Sequence, residues 1–111
     1  MTEGQAWEIL YKTEISHAEN ARSQGKEGMA RVCARRAVGI IIGEYFRRNQ
    51  IPINNPSAYN HLRLIEKMPD ISDDLLTLIQ HFLVRVSLDY RLPLEVDLIA
   101  EAQQIRKVLL E

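Results

Sequence analysis

Three arginines, Arg31, Arg35 and Arg36, lie in a stretch that reads as one long helix, EGMARVCARRAVGIIIGEYFRRN, from Glu27 to Asn49. At helical pitch Arg31 and Arg35 share a face, and Arg36 stands about a third of a turn away. Two guanidiniums one turn apart suit the recognition of phosphate or carboxylate, because each offers a planar fork of donors and keeps its charge. The same side chains could instead pair inside the protein, with Glu14, Glu19 or the acidic start of the fourth helix. A second polar set, His81, Arg85 and Asp89 with Tyr90, is spaced four apart along another predicted helix. It reads either as an i,i+4 charge ladder or as a site facing its own copy across a dimer axis.

Other chemistries find less support. His17, His61 and His81 fall in three different helices, with no second ligand at i+4 on the same face, so no metal site is expected. The stretch KEGMAR lacks the phosphate-loop pattern and follows no strand. Cys33 is the single cysteine, so no internal disulfide can form; it sits in the apolar helix without an evident base. No cofactor is expected.

The 111 residues suffice for one helical domain spanning 1–111. Apolar residues make up 46% and charged residues 26%, the balance of a globular protein rather than a disordered one. Net charge is −1 but unevenly spread. Residues 22–48 carry seven basic side chains against two acidic ones, and the remainder carries seven against thirteen. An arginine-rich patch on a near-neutral chain suits an acidic partner, an RNA or the protein's own acidic helices. No secretory leader pattern opens the sequence, and no apolar run approaches the roughly 18 to 20 residues of a membrane span, so a cytoplasmic protein without a membrane partner is expected.

These side chains need helices to position them. Residues 2–24 predict a first helix, capped by Thr2 with Gln5 and turning Trp7, Leu10, Tyr11, Ala18 and Ala21 inward. Glu14 falls inside that stripe, where a carboxylate is costly unless paired. Gly25 is the expected helix stop. The central helix is apolar all round from Ala37 to Phe46, which means burial on every side. Ala30, Cys33, Ala34 and Ala37 form one small-residue face, and Gly39 with Gly43 another, for tight packing or a dimer contact. Asn55 followed by Pro56 predicts the start of a short helix to about Lys67, with Tyr59, Leu62, Ile65 and Met68 inward. Asp70 or Ser72 is expected to cap a fourth helix with an apolar stripe from Leu75 through Ile79, Phe82, Leu83 and Val86 to Tyr90. Pro93 breaks the chain before a last helix from about Leu94 to Leu110. No strand pattern occurs. The expected fold is all-α, an up-and-down bundle of four to five helices.

The order of elements resembles the HEPN family, the nucleotide-binding helical domain of prokaryotes and eukaryotes. The features are the alanine-rich central helix (ARVCARRAVGIII), the short helix after a proline-bearing loop (AYNHLRLIEKM), the tyrosine-arginine-proline corner (LVRVSLDYRLP) and the last helix (EAQQIRKVLLE). The resemblance covers most of the chain and implies a homodimer, often working beside a nucleotidyltransferase in toxin–antitoxin operons. Catalytic members cut RNA without metal, using an Arg followed four to six residues later by His. Here Arg85 matches the Arg, but Tyr90 stands at an allowed histidine position and no histidine follows. Tyrosine, with an ordinary pKa of about 10, replaces poorly a group that transfers protons near neutral pH. The expected function is therefore a non-catalytic binding module for a nucleotidyltransferase-type partner, a nucleotide or an RNA, with Arg31, Arg35 and Arg36 as the binding residues. The alternatives are a degenerate ribonuclease using Arg85, Tyr90 and His81, or a plain helical interaction module.

Overall fold

Helix α2 (Glu27–Arg48) is the hub of the chain. In the computed structural model, which describes residues 3–84 and 96–111, α2 packs against α1 (Glu3–Ser23), α3 (Ala58–Glu66) and α5 (Leu98–Leu110). Helix α4 (Asp73–Leu83) packs against α3 and α5 and completes the bundle. The described residues form five helices and no strand. The radius of gyration is 13.7 Å, close to the value of about 13 Å for a compact chain of this length.

The composition of α2 accounts for its position. Val38, Ile41, Ile42 and Phe46 are fully buried, and so are Ala30, Ala34 and Ala37. Each fully buried Ile or Phe contributes roughly 1.5–3 kcal/mol, so the middle of α2 anchors the core. The two small-residue faces serve different neighbours. Helix α1 brings small buried residues of its own, Ala18 and Ala21, to its extensive interface with α2. Gly39 and Gly43 receive α3. A Cβ on Gly39 would stand 2.6 Å from Ala58 Cβ, and one on Gly43 would stand 3.2 Å from His61 Cε1.

Helix ends follow from local chemistry. At the end of α1, Gly25 has φ +76°; Lys26 N–H donates to Ala21 O at 2.8 Å and Gly25 N–H to Arg22 O at 3.0 Å, the double bond of a Schellman stop. Helix α2 stops in the same way without a glycine: Gln50 has φ +56°, and Ile51 N–H donates to Phe46 O at 2.9 Å. The left-handed conformation costs Gln50 roughly 1 kcal/mol, offset by Ile51 packing on the core. Ser72 caps α4 and Asp97 caps α5.

Several expectations need correction. Helix α3 is capped by Ser57, whose hydroxyl accepts from Asn60 N–H, while Asn55 Oδ1 accepts from Ser57 N–H one turn earlier. Tyr59 is exposed beside Arg63 rather than inward, and Leu10 is exposed where Ile15 takes the buried place. Helix α4 stops at Leu83, with Val84 extended, and α5 starts at Leu98 behind its Asp97 cap. The expected positions Val86, Tyr90 and Leu94 lie outside the described residues, as do Thr2 and the Gln5 side chain of the expected first cap. No helix among the described residues is long and apolar enough to cross a membrane.

Candidate functional site

The basic excess of residues 22–48 divides into two groups. Arg22 bonds Glu27 at 2.9 Å and Asp97 at 2.8 Å, tying the first turn to the cap of α5. Arg47 and Arg48 close on Glu44, a carboxylate held inside the apolar run of α2 and almost fully buried. Arg47 grips it with two bonds of 2.8 and 2.7 Å, and Arg48 adds a third of 2.8 Å. These hydrogen bonds, that of Arg47 first, hold the Glu44 carboxyl below the usual carboxylate range against the opposing effect of burial. Arg22, Arg47 and Arg48 are thus parts of the scaffold.

The second group is Arg31, Arg35 and Arg36. Arg31 and Arg35 are half-buried one turn apart, and Arg36 is exposed. Arg35 and Arg36 meet no acidic group within ion-pair distance among the described residues, so the internal pairing with Glu14, Glu19 or the start of α4 is not formed by them. Arg36 lines a groove of about 480 Å³ between α1, α2 and α3. Trp7, Leu10 and Glu14 come from α1, Gly39, Ile40 and Gly43 from α2, and Ala58 and His61 from α3. The two glycines are what bring α3 close enough to close the groove.

Glu14 and Arg36 act on a common neighbour: burial raises the Cys33 thiol above its ordinary range, Glu14 raises it further and Arg36 opposes them. Trp7 and His61 complete the polar lining. Trp7 lies 5.7 Å from the Arg48 guanidinium, and His61 meets the Phe46 ring edge-on at 5.5 Å. His61 is buried, and its Nδ1 stands 3.0 Å from Gly39 O. A carbonyl oxygen only accepts, so Nδ1 carries a proton and donates. Trp7 Nε1, Glu14 Oε2 and His61 Nε2 are buried atoms that meet no hydrogen-bond partner among the described residues. Three such atoms on one groove mark it out, because buried polar groups are normally paired.

No family model, curated protein or solved structure matches the chain. The site therefore stands on its own chemistry. Of the three expected binding residues, the groove takes Arg36, and Arg31 and Arg35 flank it on the neighbouring face of α2. His81 does not continue a ladder along α4. Its Nδ1 donates across to Glu101 on α5, at 2.8 and 3.0 Å to the two carboxylate oxygens. Arg85, Asp89 and Tyr90 lie outside the described residues. His17 is exposed on α1, and Cys33 is buried.

A second hollow, of about 520 Å³, lies between α1 and α5. Two of its cations are already engaged. Arg106 bonds Glu8 at 3.1 Å and stacks on Trp7 and Tyr11, and Lys12 also reaches Glu8. The α1–α2–α3 groove is the better candidate. Glu14 was visible in the sequence as a carboxylate inside an apolar stripe. Trp7 and His61 were not, since an indole at an inward position reads as packing and His61 reads only as one of three scattered histidines; the pairing of Gly39 and Gly43 was the available signal that α3 would press in beside them.

Proposed function

We propose that this chain is a non-catalytic, HEPN-like helical binding module that holds a nucleotide or a segment of RNA at the α1–α2–α3 groove. In this reading it works as a homodimer or beside a nucleotidyltransferase-type protein. The supporting observation is Arg36, which lines a groove rich in buried polar atoms and has no acidic partner among the described residues, with Arg35 beside it in the same condition. Guanidiniums without internal carboxylates are available to phosphate.

The test is a titration with AMP and with a short single-stranded RNA across a salt series. Affinity falls steeply with salt, because each neutralised phosphate releases counterions. Arg35→Gln flattens the logarithmic RNA slope by about 0.7, the value for one single-strand phosphate contact, and leaves the thermal melt unchanged. Salt-independent binding, or none, would remove the phosphate reading. The ribonuclease alternative has its own check: RNA cleavage by the purified protein, abolished by Arg85→Ala, would replace the binding reading with an enzymatic one.

A further inference from the structure

A carboxylate in an anion-binding groove is a contradiction unless the ligand brings it hydrogen-bond donors. Glu14 shares the groove with Arg36, and its Oε2 is buried without a partner among the described residues. Such an oxygen repels a phosphate and is costly to keep. The group on a nucleotide that turns this cost into affinity is the ribose diol, whose two hydroxyls donate. In the same groove, His61 is only 6% exposed and its Nδ1–H donates to Gly39 O, which leaves Nε2 as the imidazole's acceptor. Trp7 Nε1–H is a donor. A donor and an acceptor lining one groove suit the edge of an amino-bearing base; adenine offers its N6 amino group and N7 together. Trp7 and Glu14 are seven residues apart on α1, about 10.5 Å along the axis, a spacing that suits a base plus its sugar rather than a lone ring.

We propose that the groove is a ribonucleotide site in which Glu14 accepts from the ribose hydroxyls, Trp7 and His61 read an adenine-type base, and Arg36 meets the phosphate. This rests on the nucleotide reading above and adds to it a choice of sugar. The three unpartnered atoms are shielded from water, and Leu10, Arg36 and Pro56 are the exposed residues of the groove's lining.

Trp7 is the only tryptophan in the chain, so its fluorescence reports this groove. Titrations compare AMP with 2′-deoxy-AMP, adenosine with 2′-deoxyadenosine, and a short RNA with DNA of the same sequence, with calorimetry in parallel. The ribo form binds about tenfold tighter than the deoxy form, the discrimination expected for a hydroxyl that satisfies a buried acceptor. Glu14→Gln removes that preference by weakening the ribo ligand without weakening the deoxy ligand, and the melt does not fall. If Glu14→Gln fails to fold, Arg36→Gln carries the test, because its exposed side chain contributes little to stability; it lowers the affinity of AMP but leaves the preference of adenosine over deoxyadenosine. Equal binding of AMP and deoxy-AMP with steep salt dependence overturns the ribose inference and leaves the phosphate reading standing. Preference for adenosine over deoxyadenosine, together with AMP binding that does not depend on salt, does the reverse. A ribose preference seen with RNA against DNA but not with mononucleotides also overturns it, because Glu14 then does not read the sugar of a nucleotide in the groove. Silence of Trp7 toward every ligand overturns it.

Discussion

Glu44 and Glu14 are two carboxylates on facing helices with opposite fates. Glu44 has a side chain 3% exposed, yet it is answered by Arg47 and Arg48, whose own side chains are 51% and 42% exposed. Removing the carboxylate therefore leaves two arginines that water can solvate, not a stranded buried charge. Glu44→Gln should cost about 2 kcal/mol, in the range of hydrogen bonds to charged groups, rather than the larger figure for a broken buried pair. The sign with pH follows. The folded Glu44 carboxyl lies below its unfolded value of 4.5, so its contribution is complete above that value and is lost as pH falls through the depressed folded value. Denaturant melts between neutral and acid pH should show a shallower acid loss in Glu44→Gln than in the parent; an unchanged acid slope would show that the arginine grip does not hold the carboxyl down. Sequence made one of these two residues stand out. Glu14 breaks an inward stripe and so invites a question. Glu44 is followed at i+3 and i+4 by arginines and passes for an ordinary surface pair, because side-chain spacing does not reveal that its carboxylate is buried.

Helix boundaries were legible where the stop has its own chemistry, as at Gly25 and Ser72. They were less so where the stop is imposed from outside. Gln50 adopts a left-handed conformation that its side chain does not favour, because Ile51 must reach the core. Asn55–Pro56 has the composition of a helix start, yet the cap falls on Ser57, since Ala58 has to fit against Gly39. That contact yields a prediction for the element. In an open helix, alanine would replace glycine with a gain of about 1 kcal/mol. At position 39 the new Cβ would meet Ala58 Cβ at 2.6 Å and Ala58 Cα at 2.9 Å. Backbone cannot swing away as a flexible side chain can, so α3 must shift as a body. Overpacking of this kind costs typically 1–3 kcal/mol and outweighs the propensity gain. Gly39→Ala should lower the denaturation midpoint and also weaken ligand binding, because α3 carries His61 into the groove. A midpoint equal to or above the parent's would show that α3 does not seat on Gly39.

For the molecule as a whole, the number, order and central member of the helices were legible from proline breaks and apolar stripes, while the pairing of faces was not. An all-apolar helix in a small chain suggests surface left over for a second copy, and Gly39 with Gly43 suggests where that copy would sit. The chain covers this surface itself: Val38, Ile41, Ile42 and Phe46 are fully buried by its own helices, and α3 fills the glycine face. What remains exposed on α2 is Met29 and Val32, one turn apart near its start, at 53% and 45%. Contiguous exposed apolar surface is what a second copy would bury. For the proposed homodimer, the surface that α2 offers is this end of the helix, away from the glycines. Sedimentation on the order of tens of micromolar, the range of a moderate dissociation constant, should find a dimer. Val32→Asp should convert it to a monomer without altering the far-ultraviolet helical signal, because a carboxylate at the centre of a self-complementary contact faces its own copy and loses water without gaining a partner. A parent protein that sediments as a monomer removes the homodimer. A dimer indifferent to Val32→Asp rules out this end of α2, and the same substitution logic then applies to Ile9 and Leu10, which are also exposed, on α1.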